Sequence, residues 1–239
     1  MRPIYAALVV AVLAVLFAWL QRSDTAGSMG PPPRLVLSRP ILVECEDRLK
    51  KVRIRTNDMP SREFLLAAYV MVTIFDVMPG MGVVKSDIQG NIDKIWRRQT
   101  SSSVPLLQMC DDEISALDGD VSRARQRDGS VCTSLLWLKR ALRLVEGILQ
   151  QLVRHAGKSL RECANAAYAS SLRLHHNFVM RSTFSVALNA SPSRAEFMRK
   201  LSDETEADTL KTISRVVPSF TKLLDLIERH LVAQRIETR

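Results

Sequence analysis

The chain of 239 residues carries 34 basic and 25 acidic side chains, a net charge of +9, with only 5% aromatic residues and nine glycines. That length suits one domain of about 200 residues with an appendage, and the scarcity of aromatics and glycine favours an all-helical fold over a sandwich or barrel. The charge is diffuse, with no Lys/Arg run interleaved with aromatics, so it suits an anionic membrane surface and gives no footprint for nucleic acid.

The first segment, "PIYAALVVAVLAVLFAWL" at residues 3–20, has no charged side chain and ends near Trp19. At 1.5 Å rise per residue it would span about 27 Å, close to one hydrocarbon core. It exceeds the roughly 7–15 residues of a signal-peptide core, and "DTAGS" is a mediocre cleavage site, so an uncleaved anchor over 1–22 is expected ahead of a signal sequence. Arg2 and Arg22 flank it almost evenly and barely orient it. Residues 23–42, rich in Ser and Gly and holding three consecutive prolines, read as a linker. The domain is expected over 43–239.

Helical patterns follow one another from there. "SREFLLAAYVMVTIFDVM" (61–78) has Ser61 as N-cap candidate and is apolar nearly all round, as in a central helix. "PGMG" (79–82) stops it. In the next helix, "KSDIQGNIDKIW" (85–96), Asp87, Asn91 and Lys94 stand at i, i+4 and i+7 and form one polar stripe, while Ile88, Ile92, Ile95 and Trp96 demand burial. An amphipathic stretch runs from Val104 to Asp118, and "DGDVSRARQRDGS" is a polar connection. "VCTSLLWLKRALRLVEGILQQLVRHAG" (131–157) is a long helix with Gly157 as C-cap candidate. The stretch 159–188 reads as one further helix, Ser191 or Ser193 caps the next, and the C-terminal helix is expected to bend near Pro218.

The four cysteines, Cys45, Cys110, Cys132 and Cys163, lie far apart without a CxxC pair, and His175 and His176 are adjacent. Buried thiols in a reducing setting are therefore expected, rather than a metal site or a disulfide framework. No GxSxG elbow or flanking pair of carboxylates calls for catalysis, and no cofactor motif is present. "LNASP" matches a glycosylation pattern at Asn189, weakened by the proline that follows.

Three motifs stand out, each with an ordinary explanation beside it. The Asp87/Asn91/Lys94 stripe suits a polyhydroxylated ligand, since a carboxylate accepts, an amide does both and an ammonium donates, but a solvated helix face looks the same. Trp137, beside Lys139, Arg140 and Arg143, is either a core residue or a plate for the apolar face of a sugar. His176, with Phe178 two residues on, is most simply a hydrogen-bonded core histidine.

"VVKSDIQGNIDKI", "LLWLKRALRLVEGIL" and "AYASSLRLHHNFVMRSTFSVALNASPSRAEFMRKL" occur in the order and rough spacing of the glycolipid transfer protein family, and the chain resembles that family over residues 59–202. The resemblance implies an all-α, two-layer sandwich of about eight helices that holds the chains of a sphingolipid inside and its head group at the surface. It implies no enzyme activity, no metal and no cofactor; the partners would be a glycosphingolipid and a membrane surface, without nucleic acid. Asp87 would bind the ceramide amide N–H and a sugar hydroxyl, Asn91 and Lys94 further hydroxyls, Trp137 would be the stacking plate, and His176 would donate to the amide carbonyl. Phe178 stands where the family carries a tryptophan that dips into the bilayer.

The family has a sugar branch and a branch carrying ceramide-1-phosphate. The phosphate branch tends to have lysine at the position of Asn91 and arginine at that of Trp137, so both positions here resemble the sugar branch. The expected function is transfer of a glycosphingolipid between membranes. A phosphosphingolipid carrier, using Lys94, Arg140 and Arg143, and an anchored lipid-sensing adaptor are the alternatives. Residues 1–40 depart from the compact relatives and place the domain on a membrane, facing the cytosol, or in a lumen or outside the cell if the segment is cleaved.

Overall fold

The computed structural model describes residues 37–101 and 104–237. The anchor or signal segment expected over 1–22, and linker residues 23–36, lie outside the described residues. Among the described residues no helix is long and apolar enough to cross a membrane.

The architecture is all-helical. Its α-helices are α1 (Ile41–Lys51), α2 (Ser61–Val72), α3 (Gly82–Arg97), α4 (Leu106–Ser115), α5 (Val121–Gln126), α6 (Val131–Arg154), α7 (Leu160–Ala169), α8 (Phe178–Asn189), α9 (Arg194–Leu201) and α10 (Glu206–Ala233). Two 3₁₀ turns, Thr73–Val77 and Leu172–Leu174, complete the described set. The count exceeds the expected eight for two reasons. The polar connection after α4 contains α5, and the stretch 159–188 is broken into α7, a 3₁₀ turn and α8.

α6 is the centre. It packs against α7 on one side and against α3 and α10 on the other, and α3–α2–α1–α10 close a ring with it. Its buried positions recur at helical spacing, Leu135, Leu138, Leu142, Val145, Leu149 and Leu152, so one apolar stripe serves the whole length. The approach of α7 is close: a Cβ on Gly147 would lie 2.9 Å from the Cβ of Ala167, so only glycine fits there. The amino end of α6 is held by the buried Glu113, whose carboxylate accepts from the Ser130 hydroxyl at 2.8 Å and the Cys132 amide at 3.0 Å. A carboxylate there satisfies orphan N–H groups and complements the helix dipole.

Several local expectations change. Ser61 is the first helical residue rather than the cap; Pro60 takes that position, and the buried Ser61 hydroxyl has no partner. Gly157 does not end α6, which stops at Arg154 with His155 as C-cap. The released carbonyls of Leu152, His155 and Lys158 accept instead from the Arg194 guanidinium, at 2.9, 3.2 and 3.3 Å. Ser193 caps α9 by accepting from the Glu196 amide at 3.1 Å. α10 is assigned as one helix through Pro218.

The cysteines are the largest correction. Cys110 on α4 and Cys132 on α6 form a disulfide, with Cα atoms 5.0 Å apart; Cys45 and Cys163 are buried free thiols. Twenty-two residues of sequence separate the pair, and α5 folds that interval back on itself, a closure no spacing rule reveals.

Candidate functional site

The stripe on α3 forms as its spacing demands. Ile88, Ile92, Ile95 and Trp96 are buried, and Asp87, Asn91 and Lys94 emerge on the opposite side. The Lys85 ammonium ties the start of the helix to Asp76 at 2.6 Å, and Lys94 and Arg97 sit in the last turn, where cations complement the dipole. Asn91 donates through Nδ2 to the Asp87 carbonyl at 3.1 Å and leaves its own side-chain oxygen free.

Asp87 is unpaired. Among the described residues its carboxylate accepts no hydrogen bond, and neither it nor Lys94 forms an ion pair. Solvent reaches the side chain, yet the surrounding protein shields the carboxylate enough to push its pKa above the ordinary value, with the Lys94 ammonium pulling the other way. Asp93 also has a raised pKa from burial and a buried Oδ1 without a partner. Six residues from Asp87, it lies well off the stripe.

On α6, Trp137 is half-buried, and the Arg140 guanidinium carbon lies 5.0 Å from its ring centroid. The cations expected beside it are already engaged. The buried Lys139 pairs with Glu237, which also accepts from Arg140 Nε at 3.2 Å. Arg143 contacts Glu146 at 2.9 Å, Asp225 at 2.5 Å and Glu228 at 2.8 Å.

His176 is not on a helix. It lies between the Leu172–Leu174 turn and α8, half-buried, with Nδ1 3.0 Å from the Tyr168 hydroxyl. Burial lowers its pKa, with His175 and Arg181 adding to the effect, and His175 is lowered likewise by burial and by Arg140. With the Tyr168 hydroxyl donating to Nδ1, a neutral ring carries its proton on Nε2. Tyr168 is itself held by Phe184, stacked at 4.0 Å. Nothing in the sequence marks Tyr168, because the chain breaks its helix between the two residues.

Just beyond, Phe178 is 82% exposed and heads an apolar edge with Leu174, Val179 and Val186, with Arg173 and Arg181 beside it. The site thus has three parts: the stripe on α3, Trp137 with Arg140 on α6, and the His176 turn. Among the described residues no hydrogen bond joins the stripe to Trp137 or His176; α6 packs against both α3 and the Leu172–Leu174 turn, and the field of Arg140 reaches His175.

Residues 59–203, more than half of the chain, match the family model "Glycolipid transfer protein". The chain belongs to the glycolipid transfer protein family. Glycolipid transfer protein of Aureobasidium melanogenum is 28% identical over 194 residues, which is 79% of this chain and 92% of that protein. Pleckstrin homology domain-containing family A member 8 of Rattus norvegicus is 28% identical over 185 residues, 73% of this chain. The match spans only 35% of that relative's length. Among solved structures, a variant of Arabidopsis ACD11 complexed with C12 ceramide-1-phosphate has a TM-score of 0.74 at 22% identity, covering 84% of this chain and 98% of that one. That likeness establishes the glycolipid transfer protein fold. Members of this family are lipid transfer proteins rather than enzymes, and carriers of glycolipids and of ceramide-1-phosphate both share the fold.

Proposed function

We propose that this chain binds a glycosphingolipid and moves it between membranes. Asp87 accepts from the ceramide amide N–H and a sugar hydroxyl, Asn91 and Lys94 bind further hydroxyls, Trp137 stacks on the sugar, and the Nε2–H of His176 donates to the amide carbonyl. The observation that carries the sugar assignment is the pairing of Lys139 with Glu237 and of Arg143 with Glu146, Asp225 and Glu228. Cations already neutralised offer little to a phosphate, whereas an unpaired carboxylate and an indole suit hydroxyls and a ring face.

The hydrocarbon chains need an apolar space, at about 0.8 kcal/mol per CH₂ kept from water. The stretches that would line it, including Phe64, Leu65 and Phe75 before α3 and Leu142, Val145 and Ile148 of α6, form one packed core. Lipid entry would then part these helices, with binding energy favouring the opened arrangement. The exposed Phe178 edge, flanked by Arg173 and Arg181, is suited to resting on an anionic bilayer while this happens.

Transfer of labelled galactosylceramide, lactosylceramide and ceramide-1-phosphate from donor to acceptor vesicles tests the assignment. Galactosylceramide and lactosylceramide should move, and Asp87→Val should abolish that movement. Movement of ceramide-1-phosphate alone would transfer the protein to the phosphate branch, a reading that draws support from the likeness to ACD11. Binding without transfer would favour the anchored sensor.

For the setting of the domain, the Cys110–Cys132 disulfide supports a lumen or the cell exterior over the cytosol, because such bonds persist in oxidising compartments. Thiol alkylation of intact cells with and without permeabilisation, followed by mapping of this pair, tests that placement; a reduced pair would return the domain to the cytosolic face.

A further inference from the structure

Trp137 lines an open cavity of about 700 Å³ to which no residue of α3 contributes. Leu136 and Trp137 line it together with Arg125 of α5, Arg140 of α6 and Arg235, just past the end of α10. Three arginines from separate stretches of the chain thus line one space, and a single acid, Asp120, lines it with them.

The pairing of these groups is uneven. Asp120 is occupied in capping α5, accepting from the Arg123 amide at 3.0 Å. Among the described residues the Arg125 and Arg235 side chains make neither hydrogen bond nor ion pair. Arg140 spends only Nε on Glu237, so its two terminal nitrogens remain available while its plane lies near the Trp137 ring. Like charges brought together without counter-charges cost free energy, which an anion in the cavity would offset. The guanidinium fork matches the planar or tetrahedral oxygens of carboxylate and sulfate.

We propose that this cavity is a subsite for an anionic group, a sulfate or a carboxylate, carried on the outer part of the glycolipid head group. The inference rests on the sugar reading above: a ring stacked on Trp137 puts its outer substituents at the cavity that Trp137 itself lines. It also separates two kinds of negative charge. On α6, Lys139 and Arg143 are set against acids of the same chain, while an acid beyond the ring on Trp137 meets the unpaired Arg125 and Arg235.

The test uses the full chain. Vesicles holding equal amounts of neutral and 3-O-sulfated galactosylceramide, and others holding neutral and sialylated lactosylceramide, are incubated with the protein. The protein-bound lipid is then quantified by mass spectrometry. The wild type should be enriched about tenfold in at least one acidic lipid over its neutral parent, the worth of one charge-assisted hydrogen bond, and the enrichment should shrink in high salt. Arg125→Gln together with Arg235→Gln should abolish the enrichment and leave neutral-lipid capture unchanged, which also shows that the variant is folded. Neutral lipid captured without enrichment of either acid, or enrichment that survives the double substitution, overturns the subsite alone. Capture of no glycolipid at all overturns the sugar reading, and the subsite falls with it.

Discussion

The Tyr168 hydroxyl lies 3.0 Å from Nδ1 of His176, across a break in the helix that otherwise separates them. Under the proposed role His176 donates from Nε2, which requires Nδ1 to accept, and the Tyr168 hydroxyl is placed to donate to it. Tyr168→Phe keeps the stack on Phe184 and removes only that bond. Glycolipid transfer is expected to fall by about two- to tenfold, the range of one neutral hydrogen bond, with little change in melting temperature. Nitrogen NMR of the imidazole should show Nδ1–H gaining population; an unchanged tautomer ratio would remove Tyr168 from this role.

Asp87→Asn should separate function from stability. The folded-state pKa of Asp87 is raised by burial, so its stabilising share is present below the unfolded value and is lost as pH rises through the folded one. At neutral pH the ionised side chain therefore opposes folding. The amide should leave the urea midpoint equal or higher while transfer drops about tenfold, the loss of a charge-assisted hydrogen bond to the ligand. A lowered midpoint would show that the carboxylate serves the fold.

His175 and His176 give the opposite sign. Both have depressed pKa values, mainly through burial, with Arg140 and Lys139 acting on the first and Arg181 on the second; Glu237 opposes them at His175. Their contribution is present above the unfolded value of 6.5 and is lost as pH falls through the folded values. Melting temperature should decline as pH falls below 6.5, ahead of most carboxylates, and His176→Gln should remove part of that decline. Thermal melts across the interval check it.

Reducing the Cys110–Cys132 bond opens a loop of 22 residues, worth about 3 kcal/mol in chain entropy. Dithiothreitol, or the pair of serine substitutions, should lower the melting temperature by roughly 6–12 °C for a domain of this size. Equal melts with and without reductant would indicate that the bond does not form in solution.

The helices and the stripe on α3 were legible because both obey a local period: Ile88, Ile92 and Ile95 had to face inward, so Asp87, Asn91 and Lys94 had to face out. Membership of the family was legible for a related reason, since three motifs in fixed order survive without any contact being known. Element ends were less so. Ser61 and Gly157 had the right chemistry for caps, but Pro60 occupies the N-cap position without a side-chain bond, and α6 stops with His155 as C-cap and the distant Arg194 on its carbonyls.

What stayed hidden depends on residues distant in sequence. Residue spacing could not show that Glu237 reaches across to Lys139 and Arg140, that Arg143 is shared by three acids, or that Cys110 meets Cys132. Periodicity could propose a polar face and an indole. Whether the cations beside that indole are free for a phosphate is a question of which acids the folded chain sets against them, because a charge's availability belongs to its surroundings and not to its type.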